Sequence, residues 1–274
     1  MSATIPPTSR QEWSRSRFWF CHFLQSRHTR LKVAWTSPLD ADHRLMPPTA
    51  LHGMIHRLTA PQAGIADVIA TAQHRFSHDP AFVQSLRLLS KERQFHHEQL
   101  LSLQERHQPQ ILLPATRQAR KEMTATLLGM RYFLASLLLD DVLDIGLLKI
   151  VEPHWTDDAA AGVCELLLRD KTAHATFLAE RLTMEYADFN FIRRNLRRLR
   201  LRSLFAIHLR RMLRHDHALL AQAGVTPRQF SKQSWLEFTS VLERIVPYRR
   251  DELMKSLVTQ REKPYGDAMQ ISKH

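Results

Sequence analysis

Apolar residues recur every three to four positions along most of this chain, the spacing of one face of an α-helix. Strand signals are scarce: β-branched residues rarely alternate with polar ones, and the turn dipeptides of hairpins are missing. The pattern predicts helices over about 62–76, 80–107, 115–150, 157–185, 189–221 and 227–258, with a short one near 51–59. Breaks fall where the chemistry asks for them. SHDP precedes Pro80, QPQILLP fills 108–114, EPHW follows the leucine-rich stretch, and Gly224 ends the basic helix. Thr156 and the two aspartates after it suit a helix N-cap. Residues 1–60 read as an irregular basic and aromatic arm, with a short helix near 17–28. The first four long helices, within 61–188, are expected to form an antiparallel bundle joined by short loops. Residues 189–260 supply two more helices that pack on it, and 261–274 form a frayed tail. The expected class is all-α.

Composition narrows the chemistry more than the fold. The chain has 274 residues, 44% of them hydrophobic and 24% charged, enough for one large domain or two small ones with a real core. Its 7 glycines are never closer than 11 positions apart, which excludes GxGxxG, GxxxxGK[ST] and the GxSxG nucleophile elbow. Two cysteines, Cys21 and Cys164, exclude a disulfide scaffold and a cysteine-rich zinc site. No run approaches the roughly 18 apolar residues that span a bilayer, and the N-terminal stretch has no apolar leader core. A cytoplasmic protein is expected.

Polar residues inside apolar helices are the candidates for chemistry. Asp140 and Asp141 interrupt a run of leucines, and a carboxylate on a core face is costly unless paired or metal-bound. Asp140 and Asp144 are four apart and read as a face turned to water. Thirty residues beyond Asp141, Lys171 and His174 share a helix face, as do Glu92 and His96 in KERQFHHEQL, with His97 beside them. A Lys171–Asp141 ion pair is one reading, since a buried cation needs a counter-ion. The pairs His52/His56 and His74/His78 have spacing that can bind zinc, but 16 histidines generate such pairs by chance.

Across 134–182 this pattern resembles the ferritin-like superfamily, whose di-iron members take a Glu from one helix and Glu-x-x-His from the next. It resembles especially a group of uncharacterised bacterial ferritin-like proteins with a leucine-rich carboxylate helix, an acidic helix start, a DE..H motif and a later His before Gly. Here these correspond to Asp141, Asp157–Asp158, Asp170-Lys171-Thr172-Ala173-His174 followed by Phe177, and His217 ahead of Ala223-Gly224. The likeness covers about 65–230. It implies a ferritin-like bundle in a homo-oligomer, holding iron or another divalent metal through Glu92, His96, His97, Asp141 and His174, with Asp67 a poorer candidate. The implied activity is a metal-dependent oxidoreductase or oxygenase acting on a small organic substrate. The chain departs from the family where it matters most. Lys171 replaces the expected glutamate, Glu-x-x-His is absent from 91–100, and the first bundle helix has no Glu. A protein of the same fold that has lost its metal, and serves as an interaction or scaffold protein, is therefore the open alternative.

Charge adds a third class. Residues 1–60 carry +5, residues 61–192 carry −4 and residues 193–274 carry +11, for a total of +12. Nine arginines lie between 193 and 214 with no Asp or Glu among them. Their partners must come from the acidic middle segment, which is the reading preferred at this level, from another subunit, or from an anionic ligand. In the last case Arg197, Arg198, Arg210 and Arg211 would bind nucleic acid or an anionic membrane surface.

Overall fold

The computed structural model describes residues 10–29, 57–58, 65–107, 129–152, 158–187 and 190–247, and among these every regular element is a helix. The elements are α1 (Arg10–Thr29), α2 (Ile65–Arg75), α3 (Pro80–His107), α4 (Met130–Val151), α5 (Asp158–Glu185), α6 (Phe191–His215), α7 (His217–Gln222) and α8 (Pro227–Ile245). No described helix is long and apolar enough to cross a membrane.

The leucine-rich stretch becomes the centre of the molecule. From Leu137 to Leu148 every residue of α4 is buried. A helix apolar on all sides must be packed on all sides, and α4 touches α2, α5, α6 and α8. Its closest approach to α8 is set by size: a Cβ on Gly146 would lie 2.9 Å from Ser234 Oγ and 3.3 Å from Ser234 Cα.

Side-chain pairs fix the helix directions. Between α3 and α5 the pairs are Asp79–Arg181, Glu92–His174 and His96–Asp170. Between α4 and α5 they are Arg131–Glu185, Asp141–Lys171 and Cys164–Leu148. In both sets one number rises as the other falls, so α5 is antiparallel to α3 and to α4. Helices α3 and α4 therefore run in the same sense. This corrects the expectation that all four bundle helices alternate. Parallel neighbours need a connection as long as the helices themselves, and residues 108–129 are that connection.

Other boundaries also differ from the sequence reading; the leucine-rich helix starts at Met130 and the last helix ends at Ile245. The arm holds a 20-residue helix, Arg10–Thr29, longer than the short one expected near 17–28. Trp19 and Phe23 of α1 are buried, with Phe23 edge-on to Phe177 at 5.4 Å. Trp19 also donates its Nε1–H to Glu180 at 2.8 Å. The apolar residues of α1 fall on several sides of the helix, with Trp19 and Phe23 buried and Phe18 exposed, a pattern that periodicity alone reads weakly. The basic helix ends at His215, with Asp216 as its C-cap, and α7 follows as a separate short turn. Gly224 then takes φ 68°, a left-handed position suited to glycine. Thr226 and Gln229 form a reciprocal capping box that starts α8 at Pro227. The segments 51–56, 115–128, 153–157 and 248–274, on which several expected helices and caps fall, lie outside the described residues.

Helix α6 packs against α4, and α8 against α4, α5 and α6. Leu201, Phe205, Leu209 and Met212 form the buried face of α6. The Phe205 ring stacks on Phe238 at 4.2 Å and meets the edge of Trp235 at 4.8 Å.

Candidate functional site

The three aspartates of α4 all point inward; Asp141 and Asp144 share one partner and Asp140 has another. Asp141 Oδ1 accepts from Lys171 Nζ at 2.9 Å, and its Oδ2 accepts from Arg93 Nη2 at 2.5 Å. Asp144 Oδ2 accepts from the same Lys171 Nζ at 2.8 Å, while its Oδ1 lies 3.3 Å from Arg57 Nε. Asp140 Oδ1 lies 3.2 Å from His208 Nδ1 on α6. The reading of Asp140 and Asp144 as water-facing is thus overturned: α6 and Arg57 cover the side of α4 that a lone bundle would leave open.

Beside this network stand two histidine–carboxylate pairs between α3 and α5. His174 Nε2 donates to Glu92 Oε2 at 2.7 Å, and His96 Nε2 donates to Asp170 Oδ2 at 2.9 Å. The two imidazoles lie 5.8 Å apart, and Phe23 of α1 packs 5.9 Å from His174. Glu92, Arg93, His96, Asp141, Asp144, Asp170, Lys171 and His174 are all buried.

The helical register explains this convergence. Glu92 and His96 are four apart on α3, Asp170 and His174 four apart on α5, and the antiparallel crossing pairs them in reverse order. Arg93, next to Glu92, is turned about 100° around α3 and so reaches α4 instead. Lys171 is likewise turned from Asp170 toward α4.

Electrostatics follow from burial. Burial alone would raise the Asp141 carboxyl, but Arg93 and Lys171 outweigh it and hold the group below its ordinary range. Arg57 is buried too; its loss of water is outweighed by Asp144 and Asp140, which keep its guanidinium charged. His96 is pushed down to about 4, chiefly by burial, despite its bond to Asp170. It is therefore neutral near pH 7, a weak base shut away from solvent. Neither His96 Nδ1 nor His174 Nδ1 has a hydrogen-bond partner among the described residues.

Glu92, His96, Asp141 and His174, expected together, are indeed neighbours in the interior. His97 is half-buried and is not joined to them. Asp67 belongs to α2, with its side chain outside the described residues. His74 and His78 are exposed, and His52 and His56 lie outside the described residues. Among the anion candidates, Arg210 and Arg211 are exposed. Arg198 is engaged with Glu243 and, at 2.7 Å, with the Val246 carbonyl. Arg197 lies 5.1 Å over the Tyr186 ring.

Sequence reasoning missed Arg93, Asp170, Arg57 and His208 as partners. Only one signal was available for Arg93, a cation beside Glu92 in the middle of an otherwise well-packed helix.

A dinuclear iron centre does not fit these residues. Both oxygens of Asp141 are committed to cations, and Lys171 Nζ joins Asp141 to Asp144. The positive charge that a metal would bring is already supplied by an ammonium and guanidinium groups. Among the described residues no three of His, Cys, Asp and Glu are grouped so as to hold a metal ion.

A second buried cluster ties the N-terminal helix to the same bundle. Asp79 caps α3 through the Phe82 amide at 3.1 Å and also accepts from Ser16 at 2.8 Å and Arg181 at 3.0 Å. The Arg181 guanidinium lies over the rings of both Phe76 and Phe82, at 4.4 and 4.3 Å, and the two rings touch edge to face at 5.0 Å.

No protein-family model matches the chain, and no curated protein matches it.

Proposed function

We propose that this protein is a non-catalytic helical bundle of ferritin-like descent, in which fixed cations replace the metal and which works as an interaction or scaffold protein. The observation that carries this reading is the position of Lys171 Nζ, 2.9 Å from Asp141 and 2.8 Å from Asp144. A buried carboxylate pair neutralised by an ammonium has no need of a metal dication, and adding one would place like charges together in a medium of low dielectric. The neutral, enclosed His96 supports the same reading, since it is poorly suited to carry protons near neutral pH.

The rival reading is a metal-dependent oxidoreductase acting on a small organic substrate. It is favoured by the two histidine–carboxylate pairs, whose Nδ1 atoms have no partner among the described residues. Metal analysis separates the two. Purified protein, as isolated and after incubation with iron(II), manganese or zinc followed by dialysis, is expected to retain far less than one equivalent of metal per chain. A full equivalent or more, lost in Glu92→Gln or His174→Ala, would overturn the scaffold reading in favour of its rival.

A further inference from the structure

The arginine-rich helix has two apolar faces. One, built from Leu201, Phe205, Leu209 and Met212, is buried against the bundle. The other is exposed: Ile192 is 74% accessible, Leu196 46%, Leu199 60% and Ile207 58%. At 3.6 residues per turn these four side chains fall within an arc of about 80°, roughly opposite the buried face, and extend along about 22 Å of helix. Single exposed apolar residues are ordinary, but four on one face of a helix, interrupted by Ser203, call for a partner.

Charge identifies the partner. Arg193, Arg200 and Arg211 border the stripe on one edge and Arg202 on the other, while Arg210 and Arg214 continue the same outward face. All six are exposed. Among the described residues, none of the six has a carboxylate within salt-bridge distance. The expectation that the acidic middle segment would neutralise this helix is thereby corrected for these six. Helix α6 docks on the bundle through its apolar face and His208–Asp140, and Arg198 pairs instead with Glu243 of α8. The docking interface has no room for the long arginines on the far side, so they stay in water.

We propose that this face of α6 lies on an anionic lipid surface, with Ile192, Leu196, Leu199 and Ile207 entering the headgroup–acyl boundary and the surrounding arginines binding lipid phosphates. An apolar stripe framed by arginine is the combination that interfacial binding requires. A second copy seated on the same face would set these six arginines against six, with no carboxylate in 191–215 to separate them. A nucleic acid would satisfy the arginines but leave the four aliphatic side chains against a charged backbone. The helix would lie in the plane of the surface. This proposal does not depend on whether the bundle holds a metal.

The test uses the full chain and co-sedimentation with vesicles of phosphatidylcholine alone or with a third of phosphatidylglycerol, at low and moderate salt. Binding is expected to the anionic vesicles only, weakening as salt rises. Leu196→Asn with Leu199→Asn is expected to lower it about tenfold, as is Arg200→Gln with Arg202→Gln, Arg210→Gln and Arg211→Gln. These side chains are outside the core, and unchanged thermal melts establish that the variants remain folded. Failure to bind anionic vesicles better than neutral ones overturns the proposal. So does vesicle binding that is insensitive to the leucine changes while duplex DNA binding is lost with the arginine changes, which assigns the face to nucleic acid. Self-association abolished by the leucine changes, without vesicle binding, also overturns it and assigns the face to a second copy.

Discussion

Lys171 on α5 donates to Asp141 on α4 at 2.9 Å, with both side chains buried. The pair sits where the ferritin-like resemblance puts a glutamate and a metal, and it joins α4 to α5 at mid-height. Removing the lysine leaves two carboxylates, Asp141 and Asp144, short of a cation in the interior. Lys171→Met is expected to cost about 3–5 kcal/mol, read as a lowered urea midpoint. Adding Asp144→Leu should recover part of that loss, because one stranded charge goes with it. A single variant as stable as the parent would show that the pair contributes nothing.

Lys171→Glu tests what the site could become. Alone it adds a third carboxylate beside Asp141 and Asp144 and should destabilise at least as much as Lys171→Met. Iron(II) or zinc should then raise its melting temperature more than that of the parent, since a ligand bound only by the native state stabilises it. Equal shifts in the two proteins would mean that the remaining groups cannot converge on an ion.

Acid should weaken the fold through His96. Its pKa is about 4 when folded, below the ordinary histidine value of 6.5. The unfolded chain therefore takes up a proton first as pH falls, and stability declines from about pH 6.5 down to about 4. Asp141, also held low, adds a loss of the same sign at lower pH. The His96 contribution is on the order of 3 kcal/mol. Denaturant melts at pH 7 and pH 5 should show a smaller decline in His96→Gln than in the parent.

Arg181 bonds to Asp79 and Glu185 while lying over the rings of Phe76 and Phe82. A lysine keeps the charge but loses the planar fork and the stacking. Arg181→Lys is expected to cost about 2 kcal/mol in thermal or denaturant melts. A neutral result would reduce the cluster to simple charge pairing.

Gly146 permits the close crossing of α4 and α8. Gly146→Ala gains helix propensity of about 1 kcal/mol but drives a methyl to 2.9 Å from Ser234 Oγ. A net loss of about 1–2 kcal/mol is expected from overpacking. Combining it with Ser234→Gly should relieve the clash, which a calorimetric comparison of the single and double variants would reveal.

The sequence by itself determined the all-helical class and most helix starts and stops. Those features are local: apolar spacing, Pro80, Gly224 and the Thr226 cap act within a turn or two of themselves. It also identified Glu92, His96, Asp141, Lys171 and His174, because charged groups inside apolar stretches stand out without knowledge of their neighbours. What it could not decide was who meets whom. Asp140 and Asp144 looked water-facing because nothing within α4 shows that α6 and Arg57 cover that side. The common direction of α3 and α4, and the partners Arg93 and His208, depend on contacts across 48 and 68 residues. Such contacts come from packing, and packing placed Lys171 and Arg93 on Asp141, the carboxylate that the ferritin-like resemblance assigned to a metal and that the sequence also offered as an ion pair with Lys171.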